Sequence, residues 1–249
     1  MKQIVKINPK YKNINSFIQF VPRIFSENGE TIHHARNTIK LFRINGLLLN
    51  IKCFQKPNII NRFVYRYIRA SKAERSFRHA LYIQQQGIDT PDPVAYIEIH
   101  DKGILTESYY ISIHQTVDGR MEKIYEQSKQ ENQELIHAFT LFTADLHRKG
   151  ILHKDYSPGN ILYRKQENGY HFYLVDLNRM KFRKLSFIEK CQSFARFRLD
   201  TDILYSIADT YSKALEINEK ACRKLIPFCN KIFWKKYEYR HPEIKLAHK

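Results

Sequence analysis

The sequence predicts an α+β fold of two lobes. An N-terminal antiparallel β lobe carrying one helix covers residues 1–116, and a compact, mainly α lobe covers residues 117–249. Three observations predict it. Turns at Asn45-Gly46 and Asp101-Lys102-Gly103 each join two apolar runs, a hairpin signal. In that same half, only Arg62 to Gln86 has helical spacing, with no Gly or Pro before Gly87. After Val117 the apolar residues take a helical period.

The elements follow in order. Ser16–Phe25, rich in Phe, Ile and Val, reads as a first strand, and Asn28-Gly29 as the turn after it. Thr38–Arg43 and Leu47–Phe54 are the strands of the first hairpin, the second ending at Pro57. The helix from Arg62 follows, then a break at Pro91 and Pro93, then the hairpin Val94–Ile99 and Ile104–Ile113. In the second half Leu135, Phe139, Phe142 and Leu146 stand at i, i+4, i+7 and i+11, a buried stripe on a helix that stops at Gly150. Ile161–Arg164 and Phe172–Val175 form a short hairpin. From Phe187 the pattern is helical, interrupted at Pro227 and Pro242. There is no internal repeat, low-complexity tract or flexible linker.

Composition bounds the function. The 249 residues hold 42 Lys and Arg against 25 Asp and Glu, a net charge of +17 that points to an anionic partner. With 43% hydrophobic and 27% charged residues the chain can bury a core, and disorder is excluded. No apolar run approaches the roughly 18 residues of a membrane span. Met1–Lys12 is polar and basic, unlike a signal peptide. Cys53, Cys191, Cys222 and Cys229 form no C-x-x-C pair or zinc pattern, so four reduced thiols in a cytoplasmic protein are expected.

The chemistry concentrates in Leu152-His153-Lys154-Asp155-Tyr156-Ser157-Pro158-Gly159-Asn160-Ile161-Leu162, an H-x-D-x-x-x-x-N pattern. Asp176 follows at the end of an apolar strand, in Leu174-Val175-Asp176-Leu177-Asn178. Phosphoryl transfer needs such a set: one carboxylate to take the proton of the acceptor hydroxyl, and an Asn and a second carboxylate as hard oxygen ligands for magnesium. Lys52 lies mid-strand in the first lobe, on the face of Asn50 and Phe54, where it can reach nucleotide phosphates. An acidic partner is expected to hold it. Glu74 is the only acidic residue between Lys52 and Asp89. His153 is read as orienting the loop by hydrogen bonding. Asp200 and Asp202 either brace that loop or cap a helix.

These residues resemble the protein-kinase fold and, more closely, the bacterial lipopolysaccharide kinases, the Kdo/heptose kinase family. The resemblance runs from about Asn28 to Asp202 and rests on Lys72-Ala73-Glu74-Arg75, Ser108-Tyr109-Tyr110, His153–Leu162 and Asp176–Arg179. It implies a bilobal protein-kinase-like fold and an ATP- and Mg2+-dependent kinase. The acceptor would be a sugar hydroxyl of the lipopolysaccharide inner core, Kdo rather than heptose, at the cytoplasmic face of the bacterial inner membrane. Asp155 would be the catalytic base, and Asn160 and Asp176 the magnesium ligands. Lys52, held by Glu74, would bind the ATP phosphates, and the segment around Ile113–Thr116 would form the hinge against adenine. The departures are specific. No G-x-G-x-x-G is present, and only Gly29 lies where a phosphate-covering loop is expected, which leaves Asn28–Thr31, with Arg36, as the cradle. D-F-G is replaced by Asp176-Leu177-Asn178, no A-P-E follows, and 249 − 176 = 73 residues remain. Ser157 stands where Ser/Thr protein kinases carry Lys. These features point away from a peptide acceptor.

Two stretches carry the positive charge beside aromatic rings. Arg62, Arg66, Arg69 and Lys72 interleave with Phe63, Tyr65 and Tyr67, and the C-terminal part holds Phe233-Trp234-Lys235-Lys236-Tyr237-Glu238-Tyr239-Arg240. Basic and aromatic residues together suit an anionic membrane surface. The expected partners are therefore ATP, a lipid-linked sugar and that surface. The alternatives are a kinase for a protein or small metabolite, and a non-catalytic basic nucleic-acid-binding protein. Nucleic acid is not an expected partner, because no recognised binding motif is present.

Overall fold

The computed structural model describes residues 1–55, 70–126 and 129–243, with residues 129–131 by backbone alone. It divides into two compact units, residues 1–116 with 176–178, and residues 117–175 with 179–249.

The first unit is built on a six-stranded antiparallel sheet in the order β1-β5-β6-β4-β3-β2. The strands are β1 (Lys2–Ile7), β2 (Glu30–His34), β3 (Thr38–Ile44), β4 (Leu47–Phe54), β5 (Pro93–Asp101) and β6 (Ile104–Ile113). The two hairpin turns have the chemistry expected of them. Asn45 and Gly46 take φ 48° and 75°, and Lys102 and Gly103 take 48° and 78°. That is the left-handed pair a tight two-residue hairpin needs.

The segment expected as a first strand is instead helix α1 (Asn15–Ile24). Ile14, Ile18, Val21 and Phe25 fall at helical spacing and are all buried. They pack on Phe42, Leu49, Ile51, Ile97 and Ile111 of the sheet. Burial of this stripe overrides the strand preference of Phe, Ile and Val. The first strand lies earlier, in the polar N-terminal stretch: β1 pairs with β5 as the edge.

Helix α2 (Lys72–Gln85) covers the other face of the sheet, with Phe77 against Tyr96 at a centroid distance of 5.6 Å. It does not begin at Arg62 in one run to Gln86. Ser71 is extended (φ −60°, ψ 167°) and caps the helix by accepting from the Glu74 N–H at 3.0 Å. Arg62, Arg66 and Arg69, with Phe63, Tyr65 and Tyr67, lie outside the described residues.

The second unit is centred on α3 (Lys129–Arg148). Phe139 is fully buried, with the rings of Tyr156, Phe172, Phe194 and Phe197 at 5.8, 6.3, 6.1 and 4.8 Å. These rings come from four separate stretches of chain, so one aromatic cluster ties the unit together. The β7 (Gly119–Arg120), β9 (Ile161–Gln166) and β10 (Gly169–Leu174) strands form one small sheet. Strands β8 (Ile151–His153) and β11 (Met180–Phe182) form another. Three helices follow: α4 (Phe187–Gln192), α5 (Thr201–Leu215) and α6 (Glu219–Arg240). Pro227 does not interrupt the last of these. It sits inside α6, whose neighbouring Ile226 and Asn230 are buried, so packing carries the helix through the proline. No helix among the described residues is long and apolar enough to cross a membrane.

His147 on α3 is buried and makes two hydrogen bonds. Ser193 Oγ donates to the Glu189 carbonyl, so it accepts from His147 Nε2–H at 3.1 Å. Nδ1 then accepts from the Tyr211 hydroxyl at 2.5 Å. Both bonds suit the neutral ring. Burial drives its pKa down to about 3. The unfolded ring titrates near 6.5, so the unfolded state takes up a proton first and stability falls as pH drops from about 6.5 towards 3. The expected loss is about 2 kcal/mol at pH 5 relative to pH 8. His79, whose pKa burial also lowers, acts in the same direction. Urea denaturation at the two pH values checks this. His147→Asn flattens the acid limb, and unchanged slopes would assign the acid sensitivity to other groups.

Candidate active site

In the second unit the loop 154–160 follows β8 and is held from beneath. Tyr156 is buried, stacks on Phe139, and lies 2.8 Å from the Thr143 hydroxyl through its own. His153 is 4% exposed. Its Nε2–H donates to the Val175 carbonyl at 3.0 Å, and its Nδ1 accepts from the Asp155 N–H at 3.1 Å. The two bonds together require the neutral Nε2–H tautomer. Asn160 closes the loop: its side-chain N–H donates to the Asp155 carbonyl at 2.9 Å, and its own carbonyl accepts from the Val175 N–H at 3.0 Å. Gly159 leaves room for Glu122, whose carboxylate would lie 2.7 Å from a Cβ there.

All of these bonds hold the backbone around Asp155 and leave its carboxylate, among the described residues, to Arg196. Arg196 Nη1 donates to Asp155 Oδ1 at 2.5 Å. Arg196 sits on the loop after α4, with its guanidinium over the Phe233 ring at 5.5 Å. Asn230 of α6 fixes that loop by donating to the carbonyls of Phe194, Ala195 and Phe197. Asp200 stands at the N-cap of α5 without a side-chain cap hydrogen bond, and Asp202 lies in its first turn. Asp202 lines an open hollow on α3, α5 and α6 with His137, Tyr205 and Arg223.

In the first unit Lys52 on β4 lies between Ile39 of β3 and Tyr110 of β6. Its Nζ is 2.8 Å from Asp176 Oδ1, with both side chains mostly shielded (15% and 27% exposed). Asp176 takes φ 59°, a left-handed position that Asp tolerates better than most residues. Its Oδ1 also accepts from Asn178 at 2.5 Å. Helix α2 straps the two residues after it. Arg75 donates to the Asn178 carbonyl at 2.8 Å, and His79 Nδ1–H donates to the Leu177 carbonyl at 2.7 Å. Further along, the Ile113 and His114 N–H groups donate to the carbonyls of Asp92 and Leu48, which pins the start of the segment expected to serve as hinge.

The family model for lipopolysaccharide kinases, Kdo/WaaP, matches residues 56–199, more than half of the chain. The chain belongs to this lipopolysaccharide kinase family. It is thus a kinase of the lipopolysaccharide core, a phosphotransferase of a class that uses ATP and a divalent metal. Among solved structures it is similar to a WaaP in complex with acyl carrier protein, at 14% identity over 96% of this chain and 99% of that one, with a TM-score of 0.64. The α+β fold is accordingly protein-kinase-like. A weaker likeness, TM-score 0.48 at 15% identity, covers 87% of this chain and 67% of a Rio2 kinase solved as an ADP/Mg2+-phosphoaspartate complex from Chaetomium thermophilum. No curated protein matches the sequence.

Two expectations for this lipopolysaccharide kinase change. Glu74 does not hold Lys52. Among the described residues the lysine's carboxylate partner is Asp176, and Glu74 pairs with Arg78 one turn along α2 at 3.4 Å. Gly29 is not placed as a phosphate cradle. The residues nearest Lys52 along the β2–β3 hairpin are Ala35-Arg36-Asn37, since Thr38 pairs with Cys53 and Ile39 with Lys52. Gly29 begins the other end of β2, where it ends the turn after α1. Its φ is +82°, and a Cβ there would lie 2.5 Å from the Phe42 ring. Lys40 ties that turn down by donating to the carbonyls of Ser26 and Asn28.

Sequence reading missed Arg196, Asn230, Arg75 and His79. Each acts across a long separation, 41 residues in the case of Arg196 and Asp155, and of the four only Arg75 falls in a quoted motif, beside Glu74. The Phe194-Ala195-Arg196-Phe197-Arg198 alternation was the one available signal, and it marks a loop that buries its rings and leaves its arginines half-exposed.

Proposed function

We propose that this family member transfers the γ-phosphoryl group of ATP to a sugar hydroxyl of the lipopolysaccharide inner core, Kdo in preference to heptose. The reaction takes place at the cytoplasmic face of the bacterial inner membrane. The observation that carries the reading is the Asp155 carboxylate on a backbone fixed by His153 and Asn160, within the family-matched segment.

Asp155 accepts the proton of the sugar hydroxyl as its oxygen bonds to the γ-phosphorus and the bond to the ADP oxygen breaks. Arg196 holds that carboxylate in one orientation. Lys52 binds the ATP phosphates and exchanges its contact with Asp176 for them. The turn Ala35–Asn37 covers the phosphates, and the backbone of Ile113–Thr116 faces the adenine.

Asn160 and Asp176 would hold Mg2+. The Asn160 amide nitrogen is committed to the Asp155 carbonyl, which leaves its oxygen as a donor, and Asp176 adds a carboxylate. Hard oxygen donors of this kind fit magnesium. Magnesium takes few protein ligands and shares itself with phosphates, so two such donors suffice. When bound, it neutralises charge on the phosphates.

The test is transfer of labelled γ-phosphate from Mg-ATP to lipid A bearing Kdo, beside a heptose-extended acceptor, a protein and free sugars. Label in the Kdo lipid is the expected result. Label in the heptose lipid alone moves the site outward along the core. Label in protein or free sugar replaces the acceptor. No label, with no thermal shift on adding Mg-ATP, removes the kinase reading.

A further inference from the structure

Helix α6 separates its residues sharply by face. Cys222, Ile226 and Asn230 are buried, and Phe233, Trp234 and Tyr237 are half-buried, Phe233 stacked on Tyr237 and Trp234 edge-on to both. Much of the aromatic C-terminal stretch therefore faces the protein. On the opposite side Lys224, Phe228, Lys231, Ile232, Lys235 and Tyr239 are all exposed. At 100° per residue they fall within a wedge of about 100°, and they run about 22 Å along the helix.

The stripe is unusual for a soluble surface in both its parts. Phe228, Ile232 and Tyr239 are 56%, 38% and 87% exposed. Single exposed apolar residues are ordinary, but three along one helix face are a patch. Lysines alternate with them, and Lys236 lies about 40° beyond the Ile232 edge of the stripe. None of these cations has a carboxylate partner among the described residues, and the nearest acid, Glu238, about 20° beyond the Lys231 edge of the stripe, is held by Arg198 at 3.0 Å.

We infer that this face of α6 docks on an anionic phospholipid bilayer, lying in the plane of the headgroups. The charge decides the occupant: every charged residue within the stripe is cationic, and the acid at its margin, Glu238, is neutralised by Arg198, so the face complements a surface of many dispersed negative charges. Lysines reach headgroup phosphates at the edges while the three apolar side chains enter the acyl boundary between them. The helix is too polar to cross, so the contact is peripheral and reversible. The inference rests on the lipid-linked acceptor proposed above only for its biological sense. The binding itself needs neither ATP nor acceptor.

Co-sedimentation of the full chain with vesicles tests it, without nucleotide. The protein is expected to sediment with vesicles of equal parts phosphatidylcholine and phosphatidylglycerol, not with phosphatidylcholine alone. Added salt should weaken the binding. Lys231→Gln and Lys235→Gln should each lower the partition coefficient about fivefold at low salt. Phe228→Ser with Ile232→Ser should lower it at least as much, and most visibly in high salt. Lys2→Gln with Lys6→Gln, exposed on β1, removes twice the charge of either single variant elsewhere and should leave binding unchanged. Asp155→Asn should bind as wild type, so loss of catalysis and loss of docking are read separately. Equal loss in the β1 control reduces the effect to net charge and overturns the proposal. So does wild type that ignores anionic vesicles, or that binds soluble polyglutamate in their place, which would make the occupant an acidic protein.

Discussion

Replacing Asp155 with Asn is expected to lower phosphoryl transfer by about 10²–10⁴-fold, the range for losing a positioned general base. The fold and nucleotide affinity should change little. The reason lies in how the loop is held. His153 and Asn160 bind the backbone N–H and carbonyl of residue 155, and Tyr156 anchors the next residue in the aromatic cluster. None of these contacts uses the carboxylate. An asparagine keeps all of them, and its amide oxygen can still accept from Arg196. What it cannot do is take a proton at neutral pH. The expected signature is a fall in kcat with KM for ATP unchanged, together with an unaltered melting temperature. A melting temperature that drops in parallel with activity would make Asp155 a structural residue, and full activity would place the base elsewhere.

The parts of the fold visible in the sequence are those set by local rules. Asn45-Gly46 and Lys102-Gly103 announce their hairpins because few residues accept two successive left-handed positions. The stripe of α3 is visible because Leu135 and Phe139 repeat at the helical period over several turns. Helix α1 was hidden because Phe, Ile and Val favour strands in isolation, and only the sheet beneath Ile14, Ile18 and Val21 makes the helix the better burial. Pro227 misled for the same reason in reverse: packing of α6 outweighs the lost backbone bond.

The site divides in the same way. His153, Asp155 and Asn160 lie within eight residues, and Asp176 follows the apolar run Leu174-Val175, so spacing alone singles them out. The bonds that fix the backbone at Asp155 are local, whereas the contacts of its carboxylate and of Lys52 are long-range. Glu74 was selected as the nearest acid in sequence after Lys52, yet the lysine reaches a carboxylate 124 residues away. Gly29 was selected because a phosphate loop suggests glycine, whereas its freedom serves a turn against Phe42.

The ion pair of Lys52 and Asp176 gives the second large effect. Lys52→Met is expected to reduce transfer about 10²–10³-fold, as loss of a fixed charge at developing phosphate charge does, and to raise KM for ATP. Asp176→Asn should cost at least as much, since it removes a carboxylate proposed for magnesium and turns the partner of Lys52 into an amide. Both residues serve the same phosphates, so the double variant should be little worse than either alone, a non-additivity that a double-mutant cycle measures. The effect on stability should be far smaller, about 1 kcal/mol for a single half-shielded pair. Glu74 supplies the contrast. Its partner is Arg78, itself largely exposed, at 3.4 Å, so Glu74→Gln should change activity less than threefold and stability by under about 0.5 kcal/mol. If Glu74→Gln instead loses as much activity as Lys52→Met, then Lys52 must leave Asp176 for Glu74 when nucleotide binds. The pair seen here would then belong to a resting arrangement, in which Lys52 keeps Asp176 occupied until magnesium claims its carboxylate.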